Sequence, residues 1–266
     1  MRILIHTLLF TPDAVSIAYL LRDLARELHN YGHEVEVLTT TPHYTLLEHE
    51  YRLQPLRPRL GHLIYESQVD GIRVTHISVL PKSAWIASRL KGDMKVEFVS
   101  MLWASLCKKR FDIVLSPTQP LTMGISSWLL AKMWNGVSIA NIQDIFPDNL
   151  IRAGKINDQL LVKILRRLEG FVYDHNSATT VITSSFMDTL RPRFRDPRRL
   201  RLIPNFVDVD LYRPVSRQNE FSKAYGLDDQ FVVSYAGNIG YGQDMEPLLS
   251  VAKRCHDLPL KVLIIG

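Results

Sequence analysis

The sequence predicts an α/β fold: one complete doubly wound, Rossmann-like parallel sheet, followed by the start of a second. Three observations predict it. Short apolar runs alternate with segments whose apolar residues recur every three or four positions. That alternation is broken once, over the proline-containing residues 204–214, and then restarts. With 46% apolar and 22% charged residues, the 266-residue chain can also bury a core and keep a solvated surface.

Residues 3–6 form the first apolar run, and 8–13 a loop. From Ser16 onward, Ile17, Leu20, Leu21, Leu24, Ala25 and Leu28 have helical spacing, with Ser16 as the expected N-cap. Gly32 ends this helix, because glycine takes the left-handed cap position without steric cost. Residues 34–39 are the next strand, and a strand–helix–strand unit of this kind is parallel and right-handed. Residues 64–76 read as a hairpin turning at Asp70-Gly71. A helix over 94–109, a buried strand over 112–116, a helix over 121–134 and a strand over 137–142 follow. A long amphipathic helix is expected over 157–175, with Leu160, Leu161, Ile164, Leu165, Leu168 and Val172 on its buried face. Strands at 179–183 and 200–203 complete the first sheet. After the break, a strand over 231–236, a helix over 246–255 and a strand over 260–265 open the second.

These elements give a first domain over 1–203, a linker over 204–220 and the beginning of another domain over 221–266. Two strands do not make a stable sheet, so the chain is expected to be a truncated piece of a longer protein.

The formal net charge of +5 favours an anionic partner: a phosphate ligand, an anionic membrane surface or nucleic acid. The two cysteines, Cys107 and Cys255, are too few and too distant for a secreted disulfide framework, which points to a reducing compartment. No Cys or His pair has ligand spacing near an acidic partner, so no metal is expected. The amino terminus is too short and polar for a signal peptide, and no apolar run reaches the roughly 20 residues needed to span a bilayer. A cytoplasmic protein is the expectation. The basic residues of 191–201 are interleaved with prolines and lack a nucleic-acid motif. They read as a solvated loop or as an attraction to anionic headgroups, not as a nucleic-acid site. Lys108-Lys109-Arg110 reads as the charged last turn of a helix.

Ligands of open α/β sheets bind beyond the carboxyl ends of the strands. The loops to inspect are therefore 10–15, 40–44, 117–120, 143–148, 184–185 and 237–242. Gly237, Gly240 and Gly242 form G-x-x-G-x-G, where backbone N–H groups can approach a phosphate; the same glycines also suit a flexible connection. Gln143, Asp144 and Asp148 put an amide and two carboxylates at a strand end, either for a ligand or to cap turns and helices. Thr41 and His43 lie in a polar loop that suits a hydroxyl-rich ligand or simple solvation.

Taken together, these motifs resemble the bacterial family-four glycosyltransferases of the GT-B fold. Phe10-Thr11-Pro12-Asp13, Asp23-Leu24-Ala25-Arg26-Glu27-Leu28 and Gly32-His33-Glu34-Val35 look like the family's first strand–helix–strand unit. Asp112-Ile113-Val114 and Gln143-Asp144-Ile145-Phe146-Pro147-Asp148 look like the inner strands of its capsule and O-antigen subgroup, which includes fucosaminyl- and fucosyl-type transferases. Ile203-Pro204-Asn205-Phe206-Val207-Asp208, with Leu211-Tyr212-Arg213-Pro214, resembles the interdomain segment. Val233-Ser234-Tyr235-Ala236-Gly237-Asn238-Ile239-Gly240 resembles the start of the donor domain.

The resemblance implies a retaining transfer of a sugar from a nucleotide-diphosphate sugar to an acceptor in surface polysaccharide synthesis, with no metal or other cofactor. The first domain would serve the acceptor and the second the donor. A lipid-linked acceptor and a peripheral contact on the inner face of the plasma membrane are the further expectations. By the same resemblance, Gln143, Asp144 and His43 are catalytic, Asp13, Ser16, Thr41 and Asp148 meet the acceptor, and Gly237, Asn238 and Gly240 meet the donor phosphates. Asn205 and Asp208 would organise the hinge. Three departures stand out. Ala14-Val15-Ser16 replaces a paired glycine, which leaves the Ser16 hydroxyl and nearby N–H groups for a phosphate. Gln143 stands where many members carry histidine. The family's two donor-site glutamates would fall beyond Gly266, so the chain alone is expected to be inactive. An epimerase or phosphorylase of the same architecture, and an acceptor-binding fragment without turnover, are the rival readings.

Overall fold

The computed structural model of the chain describes residues 1–79, 86–118, 120–152, 154, 156–237, 239 and 243–266. It divides into two compact units, Met1–Phe206 and Val207–Gly266.

The first unit opens with β1 (Arg2–His6), α1 (Ser16–Asn30) and β2 (Glu34–Thr40). The two strands pair in parallel, from Arg2 against Glu34 to His6 against Leu38. The N-cap of α1 is Val15, not Ser16. The Val15 N–H already turns back to the Asp13 carbonyl at 3.0 Å, so the helix starts one residue earlier and Ser16 becomes its exposed first position. Gly32 closes the helix at φ 83°, and the N–H groups of Gly32 and His33 bond the carbonyls of His29 and Leu28.

A short helix, α2 (Glu48–Leu53), and a short strand, β3 (Arg57–Arg59), follow; the sequence reading had neither. β4 (Ile64–Val69) and β5 (Ile72–Ile77) form the expected hairpin. Asp70 and Gly71 both take positive φ, 50° and 78°, as its two-residue turn requires. The next helix, α3 (Ile86–Leu106), begins before residue 94 and ends three residues short of 109. Lys109 is therefore not a helix-terminal charge. It reaches across to β2 and pairs with Glu34 at 2.6 Å and Glu36 at 2.5 Å.

β6 (Ile113–Pro117), α4 (Leu121–Met133) and β7 (Val137–Ile142) come next. After them stand α5 (Asp148–Arg152), α6 (Gln159–His175), β8 (Ala178–Val181), α7 (Ser184–Leu190) and β9 (Leu200–Leu202). α5 and α7 correct the sequence reading. In particular, the Thr183 hydroxyl accepts the Phe186 N–H at 3.1 Å, making Ser184-Ser185 the first turn of a helix instead of a loop. The expected buried face of α6 is only half realised, because Leu160, Leu161 and Ile164 are exposed while Val172 is buried. α6 approaches α4 most closely towards its carboxyl end. There Gly124 leaves no room for a Cβ against Val172, and Trp128 stacks edge-on to Phe171 at 5.3 Å.

The strand order is β3-β4-β5-β2-β1-β6-β7-β8-β9. All neighbours from β5 through β9 are parallel. Alternation along the strands sorts the core into two faces. Ile3, Ile5, Val35 and Val37 pack with Leu21 and Ala25 of α1. Leu4, Leu38 and Val114 pack on the other side with Val99 of α3 and Leu130 of α4. Leu4, Ile5 and Leu38 have no exposed surface, so truncating any one to alanine costs about 2–5 kcal/mol.

The second unit contains α8 (Glu220–Ala224), β10 (Phe231–Ala236), α9 (Glu246–Arg254) and β11 (Leu260–Ile265). β10 and β11 pair in parallel from Phe231 against Leu260 to Ala236 against Ile265. Asn219 and Ser222 cap α8 reciprocally.

Candidate active site

β1 is flanked by β2 on one side and β6 on the other, so chain direction across the sheet reverses there. In open α/β sheets this switch point is where a crevice opens beyond the carboxyl ends of the strands. The loops leaving β1, β2, β6, β7, β8 and β9 all emerge at that edge.

The β1 and β2 loops are tied together by Asp13. Its side chain is buried, and its two oxygens accept three consecutive backbone N–H groups. His43 donates at 3.0 Å, Tyr44 at 3.1 Å to each oxygen, and Thr45 at 2.6 Å. The Ala14 N–H returns a bond to the Thr45 carbonyl. Ionic hydrogen bonds are about twice as strong as neutral ones, so the 43–45 backbone is held by one carboxylate. Thr41 is fixed as well, its hydroxyl accepting the Val79 N–H at 3.1 Å. The Thr11 hydroxyl in the same region is buried and has no hydrogen-bond partner among the described residues.

This clamp orients the His43 ring. Nδ1 lies 3.1 Å from both the Thr41 carbonyl and the Thr40 hydroxyl oxygen. The Thr40 proton is already given to the Leu8 carbonyl at 2.7 Å. Both neighbours of Nδ1 are thus acceptors, and the neutral ring carries its proton there. Nε2 keeps the lone pair, and no described residue bonds it.

On the other side of the switch point, an amide ladder crosses the strand ends. Asn141 of β7 donates to the Thr180 hydroxyl of β8 at 2.9 Å. Gln143 donates to Asn141 Oδ1 at 2.6 Å and to Asn205 Oδ1 at 3.1 Å, and accepts from Asn205 Nδ2 at 2.9 Å. Both Gln143 N–H groups are thereby occupied. Asp144, next along, is exposed, and no described residue pairs with its carboxylate.

Asp148 lies under this loop inside an ionic network. Its oxygens meet Arg166 at 2.5 Å and Arg193 at 2.7 Å. The same two arginines bridge to Glu169 at 2.9 and 2.8 Å, and Tyr173 donates to Glu169 at 3.0 Å. Burial pushes the Asp148 carboxyl up, but Arg193 and Arg166 more than reverse this and hold it below the usual carboxylate range. Sequence reasoning missed Arg193 because it was hidden in the basic run. The structure also pairs Arg195 with Asp174 and Arg198 with Asp196, and bonds Arg199 to the carbonyls of Asp174 and Asn176. Much of that run is therefore bound within the fold. Asn141 and Thr180 were missed too; Asn141 is signalled by its place between Ala140 and Ile142 at an apolar strand end, whereas Thr180, next to Thr179, carries no such signal.

In the second unit, the Gly237 N–H is taken by the Ile265 carbonyl at 2.9 Å, continuing the β10–β11 ladder. Asn238 and Gly240 lie outside the described residues.

Residues 17–205 match the glycosyl transferase 4-like domain. The chain belongs to that family. Two bacterial relatives are similar to the chain. WbjE of Pseudomonas aeruginosa, named as a glycosyltransferase, is 30% identical over 164 residues, covering 59% of this chain and 40% of its own length. WcaI of Escherichia coli (strain K12), whose name assigns it as a glycosyl transferase of colanic acid biosynthesis, is 22% identical over all of this chain and 66% of its own length. The chain thus spans less than two thirds of both relatives. Among solved structures, the catalytic domain of starch synthase IV from Arabidopsis thaliana, bound to ADP and acarbose, superposes with a TM-score of 0.72 at 12% identity. It covers all of this chain and 68% of its own. The fold is that of the GT-B glycosyltransferases, one complete doubly wound domain with the start of another. No described helix is long and apolar enough to cross a membrane.

Proposed function

We propose that the chain supplies the acceptor side, and the opening of the donor side, of a retaining glycosyltransferase. It moves a sugar from a nucleotide-diphosphate sugar to an acceptor in bacterial surface polysaccharide synthesis. The observation that carries this reading is the pairing, along one sheet edge, of a histidine with a free Nε2 and a braced amide ladder beside an exposed carboxylate. Family membership, the colanic acid assignment in the name of WcaI, and ADP bound to the starch synthase support it.

In this reading His43 Nε2 accepts the hydrogen bond of the attacking hydroxyl, and Asp144 binds a neighbouring hydroxyl of the sugar. The attacking oxygen bonds the anomeric carbon as the bond to the leaving phosphate breaks, and the hydroxyl proton passes to His43 Nε2. Charge grows on the phosphate, where backbone N–H groups can stabilise it. We assign Asn238 and Gly240 of the second unit to the donor phosphates, the Gly237 N–H being taken by the Ile265 carbonyl, and Ser16 and Thr41 to the acceptor. Asp13, Gln143 and Asp148 act as positioning residues, because their polar atoms are engaged inside the fold. A fucosyl- or fucosaminyl-type donor, a lipid-linked acceptor, no metal, and a cytoplasmic enzyme on the inner membrane face complete the proposal.

The test is incubation of a full-length protein carrying this chain with a panel of sugar nucleotides and membrane-extracted acceptor, read by release of nucleoside diphosphate and by the anomeric NMR signal of the product. A glycoside of retained configuration, with kcat lowered at least tenfold in His43→Ala, is the expected result. Release of an epimerised free sugar or a sugar 1-phosphate would instead establish one of the rival chemistries.

A further inference from the structure

α3 carries a row of large apolar side chains that the fold leaves uncovered. Met94, Phe98, Leu102 and Leu106 recur every fourth residue and are exposed by 70, 71, 43 and 68%. At 1.5 Å per residue the row is about 18 Å long. The inward side of the same helix, with Val96, Val99, Ser100 and Ala104, is buried. A scattered exposed leucine needs no explanation, whereas a contiguous apolar row does.

The row borders an open hollow of about 130 Å³ lined by Leu60, Leu63, Val99, Leu102, Trp103 and Leu106. For scale, an apolar cavity of about 150 Å³ stays dry and takes up benzene. Leu60, on the facing lip, is 70% exposed. It starts a run of three positive φ angles: Leu60 at 44°, Gly61 at 61° and His62 at 65°. Leucine at such an angle is strained, and strain of this kind gathers where a surface has a task.

The surrounding charge selects the occupant. Lys108 and Arg110 follow the row and Arg57 lies in the neighbouring β3. All three are exposed and have no ionic partner among the described residues. Two copies of the chain packed antiparallel along α3 would set Lys108 and Arg110 against Lys95 of the other copy. An anionic leaflet would neutralise them. We propose that the α3 row docks into the acyl region of an anionic membrane and that the adjoining hollow takes up a lipid chain.

The docking rests on this surface alone; its purpose rests on the lipid-linked acceptor proposed above. The amino-terminal end of the row lies beside the candidate site. Lys95 Nζ bonds the Ser78 carbonyl at 2.7 Å, and the next residue, Val79, bonds Thr41. A lipid held along α3 would present its head group towards the Thr41–His43 loop.

The test uses the full chain with vesicles of equal parts phosphatidylglycerol and phosphatidylcholine, and separately with phosphatidylcholine alone. Sedimentation is expected on the anionic vesicles only, and at least tenfold less in Phe98→Glu, with far-ultraviolet circular dichroism confirming that the variant is folded. Lys108→Gln and Arg110→Gln are each expected to lower affinity about fivefold, the equivalent of roughly 1 kcal/mol per cation. Lipids brominated on the acyl chain should quench a fluorescence component that Trp103→Phe removes. Equal binding by Phe98→Glu, or binding lost in Arg191→Gln instead, overturns the proposal. So does a concentration-dependent dimer that Phe98→Glu dissolves while the wild type ignores vesicles. Vesicle binding without sugar transfer by a full-length protein carrying the chain leaves docking standing and sinks the enzymatic reading; transfer to a soluble acceptor without vesicle binding does the reverse.

Discussion

Gln143 and Asn205, 62 positions apart, hold each other through both ends of their amides, at 3.1 and 2.9 Å. The pair braces the segment after β9 against the loop after β7. Because Asn205 is exposed, each single replacement by alanine should cost only about 0.5–1.5 kcal/mol. The two effects should not add, with a coupling of at least about 0.5 kcal/mol in a double-mutant cycle by urea denaturation. Strict additivity would mean that the amides do not meet in solution.

Almost every strand of the first sheet was legible in the sequence, because alternation and glycine or Asp-Gly punctuation depend on local chemistry. The site was legible only as loops. Asp13, Asp148 and Gln143 are the residue types that meet sugars, and equally the types that brace backbone. Only three-dimensional pairing, of Asp13 with the N–H groups of 43–45 or of Asp148 with Arg166 and Arg193, separates the two uses. The exposed half of α6 and the row on α3 were illegible for a similar reason. An apolar stripe in sequence states that a face avoids water and leaves its cover unstated.

Asp13→Asn removes the charge from a buried group that accepts three backbone N–H groups. The amide retains one acceptor oxygen and turns an NH2 towards a donor. A loss of about 2–3 kcal/mol is expected, since hydrogen bonds to charged groups are each worth about 1.5–3 kcal/mol. Hydrogen exchange should accelerate at His43, Tyr44 and Thr45 more than in the β1–β2 ladder. Unchanged protection there would remove Asp13 from its positioning role.

Arg193→Ala should be the most damaging change in the basic run. It leaves the Glu169 carboxylate, only 3% exposed, with Arg166 as its single cation beside the Tyr173 hydroxyl, and breaking a buried pair typically costs about 3–5 kcal/mol. Arg198→Ala, whose partner pair is on the surface, should have little effect, and that effect should be sensitive to salt. Urea midpoints at low and high salt would distinguish them. Equal effects would show that the network is not buried in solution.

Two glycines should respond in opposite directions to alanine. A Cβ on Gly136 would lie 2.5 Å from the Phe111 carbonyl oxygen and 2.8 Å from that of Asp112, both backbone atoms. Gly136→Ala is therefore expected to destabilise by about 1–3 kcal/mol. Gly170 sits within α6 with open space around the same position. Gly170→Ala should stabilise by about 0.4–1 kcal/mol, through helix propensity and a less disordered unfolded chain. Thermal unfolding of the two variants provides the comparison.

Two buried histidines make the fold sensitive to acid. His6 is wholly buried, with its nitrogens 2.8 and 3.0 Å from the hydroxyls of Ser127 and Ser100. Burial lowers its pKa to about 3. His76 bonds the Ser67 hydroxyl at 2.7 Å and the Thr40 carbonyl at 3.1 Å. Burial lowers it to about 4, against the smaller opposing pull of the Thr40 carbonyl. Both are neutral in the folded protein and ordinary, with a pKa near 6.5, once unfolded. Below pH 6.5 the unfolded chain therefore binds more protons, and stability falls as pH falls towards the folded values. At about pH 5 each histidine should account for a loss of roughly 2 kcal/mol relative to neutral pH. His76→Gln keeps an amide donor and acceptor but cannot titrate, so its stability at neutral pH should drop while its pH 5 to pH 7 difference shrinks by about that amount. Parallel urea curves at the two pH values, with an undiminished difference in the variant, would place the acid sensitivity elsewhere.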